Sequence, residues 1–170
     1  MRHRITALAL GGALVASTTL LGGCSIVQSV LGGDTAVRDQ ESAEITEGGT
    51  MDVFTLAVGD CFDDEGGDAG EISELPVVPC AEPHDNEVFY EFALADGEFP
   101  GNDEIYAEAD AACLEEFTSF VGTSYEESVY GFLYLTPTKG GWSELGDRIV
   151  QCYLYEPGEK LTGSAAGTAR

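Results

Sequence analysis

The stretch "VPCAEPHDNEVFYEF", residues 78–92, sets Cys80, a Pro-His pair and the acids Glu82, Asp85 and Glu87 directly ahead of a segment with strand character. An imidazole beside carboxylates can work as a general base, a metal ligand or a hydrogen-bonding turn residue. A Ser-His-Asp arrangement needs its serine on a strained elbow, and the nearest pattern, "GWSELG", places its second glycine one residue too late for G-x-S-x-G. A catalytic zinc site draws on several histidines, whereas beyond His3 in the first few residues the chain has only His84. The spacing favours a turn in which Pro83 fixes the backbone after Cys80 and the imidazole hydrogen-bonds across it. A hydrolase using His84 with Asp85 is the alternative, although adjacent side chains orient each other poorly.

The other chemistry-bearing residues are cysteines, and their compartment is written at the start of the chain. Arg2 and Arg4 precede an apolar run from Ile5 to Leu21 and then "LLGGCS". A charged start and a short apolar segment diluted by Gly and Thr predict a secretory leader over residues 1–23, not a spanning helix. The "LGGC" sequence resembles a bacterial lipobox, which implies that Cys24 receives a diacylglyceryl group and becomes the new N-terminus. Two or more acyl chains, at roughly 0.8 kcal/mol per buried methylene, hold a protein stably on a membrane. The expected location is therefore the extracytoplasmic side of the cell membrane, reached through a lipid anchor.

Removing Cys24 leaves Cys61, Cys80, Cys113 and Cys152, an even number in an exported chain, so two disulfides are expected. Three pairings are possible. Cys61 with Cys80 and Cys113 with Cys152 is favoured, because each pair joins segments that read as neighbours. A structural zinc site fits poorly, since no two cysteines have the C-x-x-C spacing. No metal is expected. No cofactor is expected either, as the chain holds no G-x-G-x-x-G, Walker-type lysine loop or H-E-x-x-H.

The chain carries 31 acids against 7 Lys and Arg; loss of Arg2 and Arg4 with the leader leaves a net charge of −26. Nucleic-acid binding rests on cationic contacts to phosphate, so nucleic acid is excluded as a partner. The same charge repels anionic lipid head groups.

Residues 24–51 are rich in Gly, Ser, Thr and acids without a sustained period, and predict a flexible tether after the lipidated residue. Residues 157–170, "PGEKLTGSAAGTAR", read as a flexible tail. Between them, 52–156 holds the globular domain. "DVFTLAVGDCF" predicts a strand delivering Cys61, "DDEGGDAGEISE" an acidic loop, "LPVVPC" and "NEVFYEFAL" two more strands. The acids over 63–74 invite a cation-sensor reading, but neither Asp60 nor Asp63 starts a valid calcium-loop frame. "NDEIYAEADAACLEEFTSFV" predicts the main helix with Asn102 as N-cap and Ile105, Ala109, Ala112, Cys113, Phe117 and Phe120 on its core face. "SVYGFLYLTP" and "DRIVQCYLYEP" supply aromatic-rich strands, the second placing Val150, Cys152 and Leu154 in phase. Trp142 in the connection reads as a lid over one end of the core. The fold expected is α+β: a small antiparallel sheet of four to five strands packed by one main helix and stapled by two disulfides.

The succession "VGDCFDD", "VPCAEPHDNEV", a helix with a central cysteine, "PTKGGW" and "GDRIVQCYL" resembles the septum-formation domain family of actinobacterial envelope lipoproteins over roughly residues 54–156. The four cysteines, Pro83, His84, Trp142 and Arg148 carry the resemblance. It implies an extracytoplasmic domain linked to cell division and no particular reaction. His84, Asp85, Trp142 and Arg148 are taken as the candidate functional surface of a non-catalytic binding or scaffolding component, with envelope or division proteins as partners.

Overall fold

The computed structural model describes residues 35–64 and 71–170. The expected leader and Cys24 lie outside the described residues, as does the middle of the acidic loop. No described helix is long and apolar enough to cross a membrane.

Among the described residues, eight strands and one long helix form an α+β unit, two strands pairing apart and six forming the main sheet. Strands β1 (Val37–Arg38) and β2 (Ile45–Glu47) pair with each other; the main sheet contains β3 (Gly49–Asp52), β4 (Cys61–Phe62), β5 (Glu74–Val78), β6 (Asn86–Ala93), β7 (Gly131–Leu135) and β8 (Ile149–Tyr155). Its order is β3-β5-β4-β6-β8-β7, antiparallel throughout. The longest ladder, β6 with β8, runs from Asn86 opposite Tyr155 to Ala93 opposite Ile149, with a bulge between Val88 and Tyr90. Successive residues Val88 and Phe89 are both buried, one in the cluster on each face, as strand alternation places them in a sheet covered on both sides.

Helix α1 (Asn102–Val121) contains no interior Gly or Pro and is rich in Ala and Glu, both strong helix formers. Asp103 and Glu104 in its first turn complement the helix dipole, and Gly122 closes it in the left-handed region at φ 90°. The N-cap is Gly101, without a side-chain bond, and not the expected Asn102, which is already helical. Ile105, Ala109, Cys113, Phe117 and Val121 are buried at i, i+4 spacing, whereas Ala112 and Phe120 sit half-buried at the edge of that stripe. Phe117 meets Phe89 edge-on at 5.8 Å, and burial of such a ring is worth about 1.5–3 kcal/mol. Cys113 on the helix is bonded to Cys152 on β8, and Cys61 to Cys80, the pairing favoured from sequence.

The opposite face is covered by Ile45, Val53, Leu56, Phe62, Leu75, Val77 and Val88. Ile45 belongs to the segment expected as tether, which therefore needs correction. From residue 35 the chain forms β1 to β3, and Arg38 clamps it with two hydrogen bonds, 2.8 and 2.6 Å, to the buried carboxylate of Asp60. That carboxylate also accepts from the Ala57 amide, so it fixes the loop that precedes Cys61. The continuous strand expected there is instead broken: Asp52 accepts from the Phe54 amide and starts a 3₁₀ turn, Val53–Thr55.

The other end of the domain also differs from expectation. Residues 157–170 do not hang free: His84 and Leu161 exchange backbone hydrogen bonds, Gly163 N–H donates to Cys80, and the Gly167 and Ala169 amides donate to Phe120 and Val121. Leu161 and Ala165 are buried in the same cluster as Phe89 and Phe117. A polar, Gly-rich segment becomes ordered here because its backbone donors find carbonyls on the β5–β6 turn and the end of α1. The sheet gains β3, which lies almost wholly in the segment expected as tether, while of the strand expected to deliver Cys61 only the two-residue β4 forms.

Candidate functional site

His84 is fully buried, so it is no part of an accessible surface. Its Nδ1 lies 2.8 Å from the Glu82 carbonyl; because a carbonyl only accepts, Nδ1 carries a proton and donates it there. Nε2 has no hydrogen-bond partner among the described residues. This is the turn geometry that Pro83 prepares. Asp85 sits apart from it, between the Asp64 amide at 3.0 Å and Lys160 Nζ at 3.1 Å. Burial works against its charge, but those donors outweigh it and hold Asp85 below the ordinary carboxylate range.

Trp142 is likewise buried, packed on Leu94, Ile105, Ala109 and Val150 at the N-terminal end of α1. A single π-helical turn, Gly141–Leu145, carries it, and its indole N–H donates to the Gly97 carbonyl at 3.0 Å. Arg148 lies over the indole, 3.7 Å from the ring centroid, and bonds the Trp142 and Asp147 carbonyls. His84 and Trp142 therefore leave the candidate functional surface and join the core, for the same reason in each case: the ring's polar atom is used to anchor a loop backbone.

The surface with binding character was not singled out from sequence. A half-open groove of about 560 Å³ lies where β7, β8, the start of α1 and the Val53–Thr55 turn meet. Its walls are Phe54, Ile72, Tyr106, Tyr134 and Ile149, and Asp147, Thr138 and Gln151 supply polar groups. Phe54 is 54% exposed, Ile72 45% and Tyr106 42%, so apolar faces point into solvent side by side. The polar floor is fixed: Gln151 Nε2 donates to the Val53 and Leu56 carbonyls. Glu71 and Asp147 stand on the rim, and Tyr134 has its hydroxyl pushed above the usual range by burial and by Asp110. The signal available in the sequence was Tyr106, a large aromatic one residue off the buried stripe of an acidic helix.

A second cleft, about 480 Å³, opens beside the N-terminal segment and is lined by Arg38, Asp60, Cys80, Glu87 and Ser164 among others. Glu87, on β6, is 1% exposed. Ser164 Oγ donates to its Oε1 at 2.5 Å and the Ala165 amide to its Oε2 at 2.7 Å. Desolvation is the largest influence on it and raises its pKa, while these two donors and nearby His84 oppose the rise. A carboxyl with a raised folded pKa favours the folded state fully below the unfolded value, about 4.3, and that benefit is lost as pH climbs through the folded value. Glu87→Gln keeps the shape, its amide donating to Ser164 and its carbonyl accepting from Ala165. The difference in melting temperature, wild type minus Gln, should fall as pH is raised from 4 to 8 in a series of thermal scans. A flat difference would show that the carboxyl ionises without cost.

No curated protein and no solved structure matches the chain. A family model described as septum formation matches residues 57–169.

Proposed function

Because the chain belongs to the septum-formation family, we propose that it is a non-catalytic binding component of the cell envelope or division site, tethered outside the cytoplasm by a lipid on Cys24. The observation that carries the binding reading is the groove walled by Phe54, Ile72, Tyr106, Tyr134 and Ile149. Its volume suits an inserted side-chain cluster or short segment, and its mix of apolar walls with a few fixed polar groups is the usual character of a binding site. Charge selects the occupant. Among the described residues Arg38, Arg148, Lys160 and Arg170 are each held in ion pairs and Lys139 is not, so four of five cationic charges are compensated locally and the remaining acids dominate the field. A partner segment with apolar anchors and positive charge complements that surface. The two disulfides agree with an oxidising compartment. The wholly buried, turn-bound His84 favours binding over hydrolysis.

The test follows a fluorescent fusion in dividing cells alongside membrane fractionation. Wild type should concentrate at the septum, Phe54→Ala with Tyr106→Ala should stay in the membrane fraction yet spread evenly, and Cys24→Ala should leave the membrane. Phe54 is 54% and Tyr106 42% exposed, so the double variant should keep its fold, each change costing about 1 kcal/mol. An evenly distributed wild type removes the septal role, and a double variant that still concentrates removes the groove.

A further inference from the structure

We propose that Cys61–Cys80 is an exchangeable disulfide, a modification site open to an external dithiol, at which Glu87 supplies the proton taken up by the departing Cys61 sulfur. The two crosslinks are placed very differently. Cys113 and Cys152 are both fully buried between α1 and β8. Cys80 is partly exposed on the wall of the 480 Å³ cleft, with Cys61 fully buried behind it. A thiolate entering the cleft meets Cys80 Sγ first, which makes the buried Cys61 sulfur the leaving group. A thiolate released out of contact with water is costly unless it is protonated.

Glu87 is the group placed to do this. One of its carboxylate oxygens and the two sulfurs all lie within 4.8 Å of one another. Burial keeps a proton on this carboxyl to higher pH than on an ordinary glutamate. The charged or titratable groups around it are His84, and Arg38, Glu44 and Asp60 on the cleft, while Ser164 and Ala165 hold its oxygens. In the exchange, the external sulfur bonds to Cys80 Sγ, the Cys61–Cys80 bond breaks, and its electron pair passes to Cys61, which takes the Glu87 proton. Water in the cleft reprotonates Glu87. The second thiol of the reductant, its proton lost to solvent, then attacks the mixed disulfide, freeing Cys80 and leaving the oxidised dithiol; both electrons come from that reductant. Backbone pairing of Cys61 with Val78 and Phe62 with Val77 also holds β4 to β5, so the fold is expected to survive loss of the crosslink.

The mature chain is incubated with graded dithiothreitol, acid-quenched, unfolded and alkylated, and each cysteine is followed by peptide mass spectrometry. Cys61 and Cys80 should be labelled while Cys113 and Cys152 remain joined and circular dichroism stays native. Simultaneous opening of both crosslinks, earlier opening of Cys113–Cys152, or no opening short of unfolding overturns the proposal, and this comparison needs no variant. Corrected for the thiolate fraction of the reductant, the wild-type rate should decline as Glu87 ionises. Glu87→Gln should be slower by roughly tenfold or more and lack that decline. An unchanged rate and pH profile in the Gln variant removes Glu87 from the step.

Discussion

Replacing Cys113 and Cys152 together by alanine should lower unfolding stability by about 4 kcal/mol, measured as a shift of the urea midpoint, and leave little of the folded form at elevated temperature. The crosslink spans a separation of 39 residues, and in the chain-entropy model a closed loop of that length restricts the unfolded chain by about that amount. A small domain is net stable by only about 5–15 kcal/mol. The bond ties the middle of α1 to the middle of the β6–β8–β7 half of the sheet, and both cysteines are fully buried beside Phe89, Phe117 and Leu154. Alanine is the informative replacement, since serine would add two buried hydroxyls with their own desolvation cost of about 1–3 kcal/mol each. A midpoint shift worth under about 1 kcal/mol would mean that helix and sheet are already held in register by packing alone.

Trp142→Ala is expected to cost about 3–5 kcal/mol, the range for deleting a large buried aromatic. Three losses combine at that position. The indole leaves a cavity among Leu94, Ile105, Ala109 and Val150; the Gly97 carbonyl loses its donor; and Arg148 loses the ring face 3.7 Å beneath its guanidinium. Trp142→Phe separates them, because it retains an aromatic face for Arg148 and most of the apolar volume but cannot donate to Gly97. Its cost should be about half that of alanine or less, read by calorimetry because the chain's single tryptophan, and with it the fluorescence signal, is gone. Equal losses in the two variants would place the whole effect in the Gly97 hydrogen bond.

The parts of the fold that were legible in the sequence are those where one apolar period covers several residues. The α1 stripe of Ile105, Ala109, Cys113 and Phe117, and the β8 phase of Val150, Cys152 and Leu154, are both buried as their spacing implies, and that phase is what made the Cys113–Cys152 pairing readable. The ends were not legible. Ile45, Leu161 and Ala165 are isolated apolar residues in polar, Gly-rich surroundings, and they are fixed by backbone bonds and an Arg38–Asp60 contact that leave no periodic trace. Of the candidate site, His84 was legible as a turn residue because Pro83 and the nearby cysteine restrict it, yet its complete burial depends on the returning segment at Leu161. The groove escaped notice for a related reason. Its walls come from residues near 54, 72, 106, 134 and 149, and only the folded chain brings those five positions together.

Docking of the chain from residue 35 onward changes how an acylated Cys24 would hold the domain. Ten residues, 25–34, separate that cysteine from the first described position. Even fully stretched, ten residues span no more than about 36 Å. On the proposal that Cys24 carries a lipid, that length is the upper limit on the distance between the anchor and the first docked residue.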